Sequence, residues 1–382
     1  MIFSKYNNSE IAEQLQIQDD FYPPYCPNPK CKNHIKGEKF YFKNGWIKTQ
    51  KKPYYNRRYR CKDCSSQFSF NTFSLDFRKR ICGVYEEIYY DSMNTMSNNS
   101  IARKIKTSET TIRKRLQDLA RQALLAEKEL DPETPINEPI AYDGFESFCK
   151  SQYSPNYINT AVGCVSLYSF PESYAPLNRK GNMTDQQKEK NKNLIEKYGR
   201  YPTNSIRVQT TYLLEKLIER NPKQQLILRT DGHQSYLCSI KKDLSSNSIL
   251  HSVTSSKERR DSSNPLFPIN HLHGRYRHFL SEHKRETIAA RKNEAAIMDK
   301  IILYRIYKNF MCPQLFRKKK RKRFNTHSPA MVRGLTDHIL NFDEIFPYRR
   351  CRTQYNLDDH ELKIFQRRWD YSREKITPYL GL

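Results

Sequence analysis

Two cysteine pairs near the N-terminus constrain this chain more than any other feature: Cys26 and Cys31 in CPNPKC, and Cys61 and Cys64 in CKDC. Tetrahedral zinc favours four thiolates delivered by two tight turns, and the interval between the pairs accommodates a hairpin of strands. That interval, FYFKNGWIKTQKKPYYNRRYR, alternates aromatic and basic residues around an Asn-Gly dipeptide, which predicts a two-stranded ribbon turning there. A zinc ribbon is expected over residues 22–72, although the first pair is separated by four residues and not by the commoner two. His34 is a possible substitute ligand, but beside a complete set of thiols the plain expectation is exposure. Cys82, Cys149, Cys164, Cys238, Cys312 and Cys351 show no paired spacing.

Composition narrows the class of partner. Of 382 residues, 67 are Lys or Arg against 41 Asp or Glu, a net charge of +26, and 26 Tyr and 19 Phe accompany them. Cations release counterions from phosphates and aromatic rings stack on bases, so a nucleic acid is the expected partner. The opening MIFSKYNNSE lacks the apolar core of a signal peptide, and the charge-free stretch 151–171 is broken by Ser, Asn, Gln and Pro. Neither an exported nor a membrane-spanning chain is expected. Ten cysteines without an export signal fit a reducing compartment, where metal ligation and buried thiols outnumber disulfides.

From about residue 76 the pattern turns helical. RKRICGVYEEIYYDSM sets Ile81, Val84, Tyr85 and Ile88 on one face, and SNNSIARKI and SETTIRKRLQDLARQALL each begin with Ser or Asn cap candidates. The short break at Lys106 and Thr107 predicts a helix-turn-helix. Its second helix would present Thr110, Thr111, Arg113, Lys114 and Arg115 to a major groove while Ile112 and Leu116 pack inward. The acidic ELDPETPINE at 129–138 reads as a linker. Beyond it come apolar strands: PIAYDGFESF with a strand ending near Asp143, YINTAVGCVSLYSF, QQLILRTDGHQSY running into Asp231 and Gly232, and SILHSVT. Between them SIRVQTTYLLEKLIER predicts an amphipathic helix with Val208, Leu214, Leu217 and Ile218 inward, and the polar 178–204 reads as a long loop or insertion. The run RKKKRKR at 317–323 reads as a phosphate-contacting loop.

Two strand-terminal aspartates in one domain suggest a phosphodiester-cleaving centre, because paired carboxylates can hold two Mg²⁺ ions that activate the attacking oxygen and stabilise the leaving one. At this point the chain resembles the DDE-class transposases of bacterial insertion sequences, which join a zinc ribbon and a helix-turn-helix to an RNase H-like domain. CPNPKC, RYRCKDCSSQFS, SIARKIKTSETTIRKRL, YDGFE, RTDGHQSY and RETIAARKN, in that order over residues 22–310, carry the resemblance. It implies that Asp143 and Asp231 are the first two metal-binding acids, that terminal inverted repeats and target DNA are the partners, that the setting is a prokaryotic cytoplasm, and that two or more copies act on paired ends.

The third acid is where the sequence departs from the family. Its frame is Glu, two residues, Asn, two residues, Leu-Arg, then Arg-x-Thr or Arg-x-Ser; here Tyr276-Arg277 and Arg285-Glu286-Thr287 keep the later part. Counting back puts His273 at the Asn and Asn270 at the Glu within PINHLHGRYRHFL. Asn270 is the favoured third ligand. Glu286 and Glu282, one turn apart but deep in the expected helix, stay open, as do phosphate or metal contacts by His271 and His273. The resulting expectation is an α+β chain: a zinc ribbon at 1–75, a helix-turn-helix at 76–130, an RNase H-like catalytic domain at 131–312 with basic residues of 257–277 on phosphate, and a basic region of unassigned role at 313–382. The competing readings are a DNA-binding regulator without catalysis and a transposase that has lost its chemistry.

Overall fold

The aromatic and basic interval between the cysteine pairs folds into antiparallel strands β1 (Tyr41–Lys48) and β2 (Tyr55–Cys61), with β3 (Gln67–Ser69) beside β2. The Asn-Gly dipeptide does not make the turn. Asn44 and Gly45 bulge out of β1 where pairing steps from Lys43↔Tyr59 to Trp46↔Arg57, and Gly45 takes φ +71°. A left-handed glycine suits a bulge as well as a turn, and the cross-strand register decides which it becomes. The chain reverses further on, where the Thr49 N–H donates to the Tyr54 carbonyl at 2.7 Å.

The structure, a computed structural model, describes residues 8–35, 37–49, 54–221, 224–244, 248–255, 257–284, 293–314 and 326–368. Two units emerge: residues 1–89 with 342–358, and residues 90–341 with 359–382. In the first, helix α1 (Asn8–Asp20) docks on β2 through Gln18, whose side chain donates to the Tyr55 carbonyl at 2.7 Å and accepts from the Arg57 N–H at 2.9 Å. Tyr25, Phe40, Tyr59, Phe68 and Phe73 form the core around the cysteines. Residues 342–358, which the sequence leaves in a separate C-terminal region, join this unit: the Tyr25 hydroxyl donates to the Arg349 carbonyl at 2.7 Å, and the Arg349 N–H to the Phe73 carbonyl at 2.6 Å.

Three helices follow the ribbon: α2 (Tyr85–Met93), α3 (Asn98–Ile105) and α4 (Glu109–Leu130). Helix α2 starts later than its apolar spacing predicts, because Gly83 at φ +73° is incompatible with a right-handed helix and leaves Ile81 and Val84 outside it. The α3–α4 turn matches the sequence reading. Ser97 and Ser108 cap the two helices by accepting from the Ser100 and Thr111 N–H groups, and Lys106 closes α3 in the left-handed conformation at φ 57°. The predicted linker is not free. Asp131 is buried against Arg220 at 2.7 Å, and the Ile136 N–H donates to the Asn221 side chain at 3.2 Å, tying 131–136 to the end of a later helix.

The second unit is built on a mixed five-stranded sheet. Strands β4 (Ile140–Phe148), β5 (Pro155–Gly163) and β6 (Ser173–Pro176) run antiparallel, and β7 (Leu226–Thr230) and β8 (Ile249–Val253) add parallel to β4, giving the order β6-β5-β4-β7-β8. The polar 178–204 is not a loop throughout: α5 (Asp185–Tyr198) occupies most of it, capped by Thr184 and with no buried residue. Helix α6 (Ser205–Glu219) buries Thr210, Leu213, Leu214 and Leu217, whereas Val208, expected inward, falls off that stripe and is 51% exposed. The short α7 (Gln234–Cys238) follows β7. The opposite side of β4 carries α8 (Phe267–Phe279), with the Phe145 ring against His273, Tyr276 and His283.

Helix α9 (Glu294–Ile306) is buried along most of its length and supplies Arg305 to a polar cluster in the core. Arg305 donates to both carboxylate oxygens of Glu127 on α4, at 2.7 and 2.6 Å, and pairs with Glu172, which also accepts from the Tyr276 hydroxyl of α8 at 2.7 Å. Burial pushes the Glu172 carboxyl up, against the pull of Arg305 and the tyrosine hydroxyl. Burial also opposes the Arg305 charge, but the two glutamates outweigh it and hold the guanidinium more firmly protonated than usual. Arg305→Leu strands two buried carboxylates, so we expect a loss of about 3–5 kcal/mol, read as a lower urea midpoint at unchanged slope.

Candidate functional site

The four cysteines converge. Cys26 Sγ lies 3.5 Å from Cys64 Sγ and Cys31 Sγ lies 3.7 Å from Cys61 Sγ, and all four sulfurs lie within 4.8 Å of one another. Zinc–thiolate bonds of about 2.3 Å in a tetrahedron require sulfur separations of about 3.8 Å, so the group could hold one zinc ion. Two tight turns deliver the ligands: the Cys31 N–H bonds the Asn28 carbonyl at 3.0 Å, and the Cys61 N–H bonds the Ser66 carbonyl at 2.9 Å with Ser65 at φ 59°. Burial pushes the Cys26 thiol up; burial also opposes ionisation of Cys64, yet hydrogen bonds from the Ser66 side chain and backbone bring it down to about 6. His34 is neither a ligand nor exposed. Its Nδ1 lies 2.7 Å from the Cys26 carbonyl and its Nε2 lies 2.7 Å from Thr353 Oγ1, so both ring nitrogens are occupied. Purified protein should carry close to one zinc per chain, and stripping it should unfold residues 22–72 in circular dichroism and raise protease sensitivity there; a cluster that stays folded without metal would remove the zinc assignment.

Asp143 does not end its strand. β4 continues to Phe148 while its parallel neighbour β7 stops at Thr230, so Asp143 lies inside β4 where the neighbouring strand has already turned away. The parallel pairs Ile140↔Leu228 and Ala141↔Arg229 bring Asp143 and Asp231 level, each two residues past the last pair. Gly232 enables the departure, at φ +80° and with the place of a Cβ only 2.7 Å from Val253 Cγ1. Gly144 has its own reason: a Cβ there would lie 1.6 Å from the Tyr157 ring.

The surroundings of Asp143 are made by three elements. Its Oδ1 accepts from its neighbour Gly144 N–H at 2.7 Å and from the Tyr236 hydroxyl of α7 at 3.2 Å, and Tyr236 is in turn 2.5 Å from the Tyr157 hydroxyl. Thr160, its cross-strand partner on β5, donates to the Asp143 carbonyl at 2.7 Å and lies 2.8 Å from His273 Nε2. His273 Nδ1 lies 3.9 Å from Asp143 Oδ2. Burial, then the Asp231 charge, pushes the Asp143 carboxyl up to about 6. Burial, aided by Arg277, pulls His273 down to about 3, so that ring is neutral at physiological pH. Asp231 is exposed, with Oδ1 accepting the His233 N–H at 3.0 Å.

Among the described residues, the α8 side chain recorded against Asp143 is His273, not Asn270. Asn270 is half-buried one turn earlier on the same side of α8, and its own N–H bonds the Leu266 carbonyl at 3.0 Å. Glu282 is not deep in that helix. α8 ends at Phe279, Leu280 is extended, and Glu282 sits buried in a separate turn at Ser281–His283. His271 is stacked on Phe267. Glu286, the segment RETIAARKN apart from Asn293, and the cationic run at 317–323 lie outside the described residues. Tyr236 and Thr160 were not singled out in the sequence; Tyr236 had one signal, standing one helical turn past the Asp-Gly. On α4, Thr110, Arg113 and Lys114 are exposed and Thr111 is half-buried, but Arg115 is only 4% exposed and does not join that face. The spacing explains it: Arg115 follows Ile112 by three and precedes Leu119 by four, on the stripe that packs inward.

Asp143, Asp231 and His273 do not close into a cage like that of the cysteines; among the described residues, only the four cysteines bring three or more ligand atoms within 4.8 Å of one another. An open pair of carboxylates suits a hard ion that keeps waters and shares its sphere with substrate phosphate. No protein-family model matches the sequence and no curated protein matches it. Among the described residues, no helix is long and apolar enough to cross a membrane.

The raised Asp143 has a consequence for stability. Its folded pKa of about 6 exceeds the unfolded value of about 3.9, so ionisation costs stability: nothing below pH 4, a growing amount from there to pH 6, and the full amount above. Asp143→Asn should therefore raise the unfolding free energy at pH 7 by about 3 kcal/mol without added divalent ions, and the gain should vanish near pH 4. A gain independent of pH would show that the carboxyl is not the source.

Proposed function

We propose that this chain is a DNA transposase whose second unit is an RNase H-like catalytic domain and whose first carries a zinc ribbon. One observation carries the reading: the parallel β4/β7 register sets two carboxylates level at the point where β7 leaves the sheet. The sheet order β6-β5-β4-β7-β8, three antiparallel strands followed by two parallel to β4, supports the RNase H-like assignment. The capped helix-turn-helix and the net charge of +26 support DNA as the partner.

In this mechanism Asp143 and Asp231 would hold Mg²⁺, which when bound would polarise the scissile phosphate and lower the pKa of an attacking water. Tyr236 holds Asp143 Oδ1 by its hydroxyl, so that Oδ2 would be the oxygen left for an ion. Water attacks phosphorus at the end of the element and the 3′-hydroxyl leaves; in a second step that hydroxyl attacks a phosphate of target DNA, whose own 3′-oxygen leaves as the target bond breaks. No covalent enzyme intermediate is needed. Arg113 and Lys114 of α4 contact the terminal repeat, and two copies of the chain bring paired ends together.

The test is cleavage of labelled terminal-repeat DNA in Mg²⁺ with binding measured in parallel. Asp143→Ala and Asp231→Ala should each lower cleavage at least about a hundredfold at unchanged affinity. The double change Arg113→Ala and Lys114→Ala should weaken binding and flatten its salt dependence by about two phosphates' worth. Wild-type protein that binds the repeats and never cuts them would identify a DNA-binding relic.

A further inference from the structure

Helix α8 faces the carboxylate centre, yet its sequence, FPINHLHGRYRHF, contains no acid. What it offers Asp143 is an imidazole, and the hydrogen bonds define which nitrogen. Thr160 has one hydroxyl proton, and it goes to the Asp143 carbonyl, which can only accept, at 2.7 Å. At 2.8 Å from His273 Nε2 the same oxygen must therefore accept, which places the ring proton on Nε2. Nδ1 is left with a bare lone pair, 3.9 Å from Asp143 Oδ2. Asp143 Oδ1 is held by Gly144 and Tyr236, so Oδ2 is the oxygen on offer. A nitrogen and an oxygen at that separation lie within the span of two bonds of about 2.1 Å to one ion. An imidazole whose other N–H is tied to an oxygen is also the usual arrangement of a metal-ligating histidine.

We infer that His273 Nδ1, and not Asn270, is the ligand α8 supplies to the ion held by Asp143, and that this nitrogen biases the centre toward a first-row transition ion over Mg²⁺. The inference rests on the reading of Asp143 and Asp231 as metal-holding acids. Nitrogen donors favour transition ions, whereas Mg²⁺ favours an all-oxygen sphere. Tyr276, three residues on, anchors the same helix to Glu172 and Arg305, which keeps the imidazole in place before any ion arrives.

Mn²⁺ is the probe, because its spin reports both occupancy and the ligand atom. Zinc-loaded full-length protein would be titrated with Mn²⁺ by electron paramagnetic resonance, with Mg²⁺ as competitor, and the bound ion examined for nitrogen coupling. His273→Gln is the variant of choice, since its amide can still donate to Thr160 but carries nothing at the Nδ1 position. The wild type should show imidazole nitrogen coupling that disappears in His273→Gln, with the preference for Mn²⁺ over Mg²⁺ falling about tenfold or more. Asn270→Ala should leave both unchanged. Coupling that persists in His273→Gln, Mn²⁺ bound without any nitrogen coupling, or loss of the preference in Asn270→Ala would each overturn the inference. Should His273→Gln fail to fold, His273→Asn takes its place, and a wild type without nitrogen coupling overturns the inference by itself. Asp143→Asn and Asp231→Asn separate the two levels: if Mn²⁺ binds them as tightly as wild type, the carboxylate reading itself fails.

Discussion

The second unit depends on one buried arginine. Arg305 of α9 carries its charge into the core and is matched there by Glu127 of α4 and Glu172 beyond β5, with the Tyr276 hydroxyl of α8 completing the cluster. A charge buried without partners is prohibitive, so these elements are committed to one mutual arrangement. Apolar packing alone would let α8 slide or rotate on the sheet at small cost. The polar cluster removes that freedom, and α8 is the element that sets an imidazole beside Asp143.

The centre itself follows from unequal strand lengths. β4 pairs with β5 along its whole length but with β7 only at two positions, and the space that β7 vacates exposes the flank of β4 at Asp143. Tyr236 of α7 donates to the Asp143 carboxylate there, while Thr160 holds the Asp143 carbonyl from β5 on the other edge of β4. A carboxylate there is partly desolvated, lies near a second carboxylate, and is pushed up to about 6. A divalent cation would relieve both burdens at once, which is the physical ground for the metal we propose there.

Much of the organisation was legible in the chain because its determinants are local. The cysteine pairs make their own tight turns, Ser97 and Ser108 cap the helices that follow them, and the apolar run before Asp231 makes a strand that buries Leu226, Leu228 and Thr230 while leaving Ile227 exposed. The errors are of one kind. Asn44-Gly45 is compatible with a hairpin turn and with a bulge, and cross-strand register chose the bulge. Arg115 looks like a DNA contact when only its charge is read, but its place on the apolar stripe of α4 buries it. The acidic 129–138 resembles a linker until Arg220 and Asn221 are brought to it from about ninety residues away.

What the sequence determined by itself is the inventory: four thiols in two turns, a capped helix pair, two aspartates in or after apolar strands, and a cationic composition, all set by residue type and short spacing. Tertiary structure decided the assignments within that inventory. Counting along PINHLHGRYRHFL favours Asn270, yet His273 shares the buried face of the helix with Ile269, Leu272 and Tyr276 and is the side chain beside Asp143. That orientation is set by Thr160 of β5 and, through Tyr276, by Glu172, each more than a hundred residues away, and no local pattern encodes it.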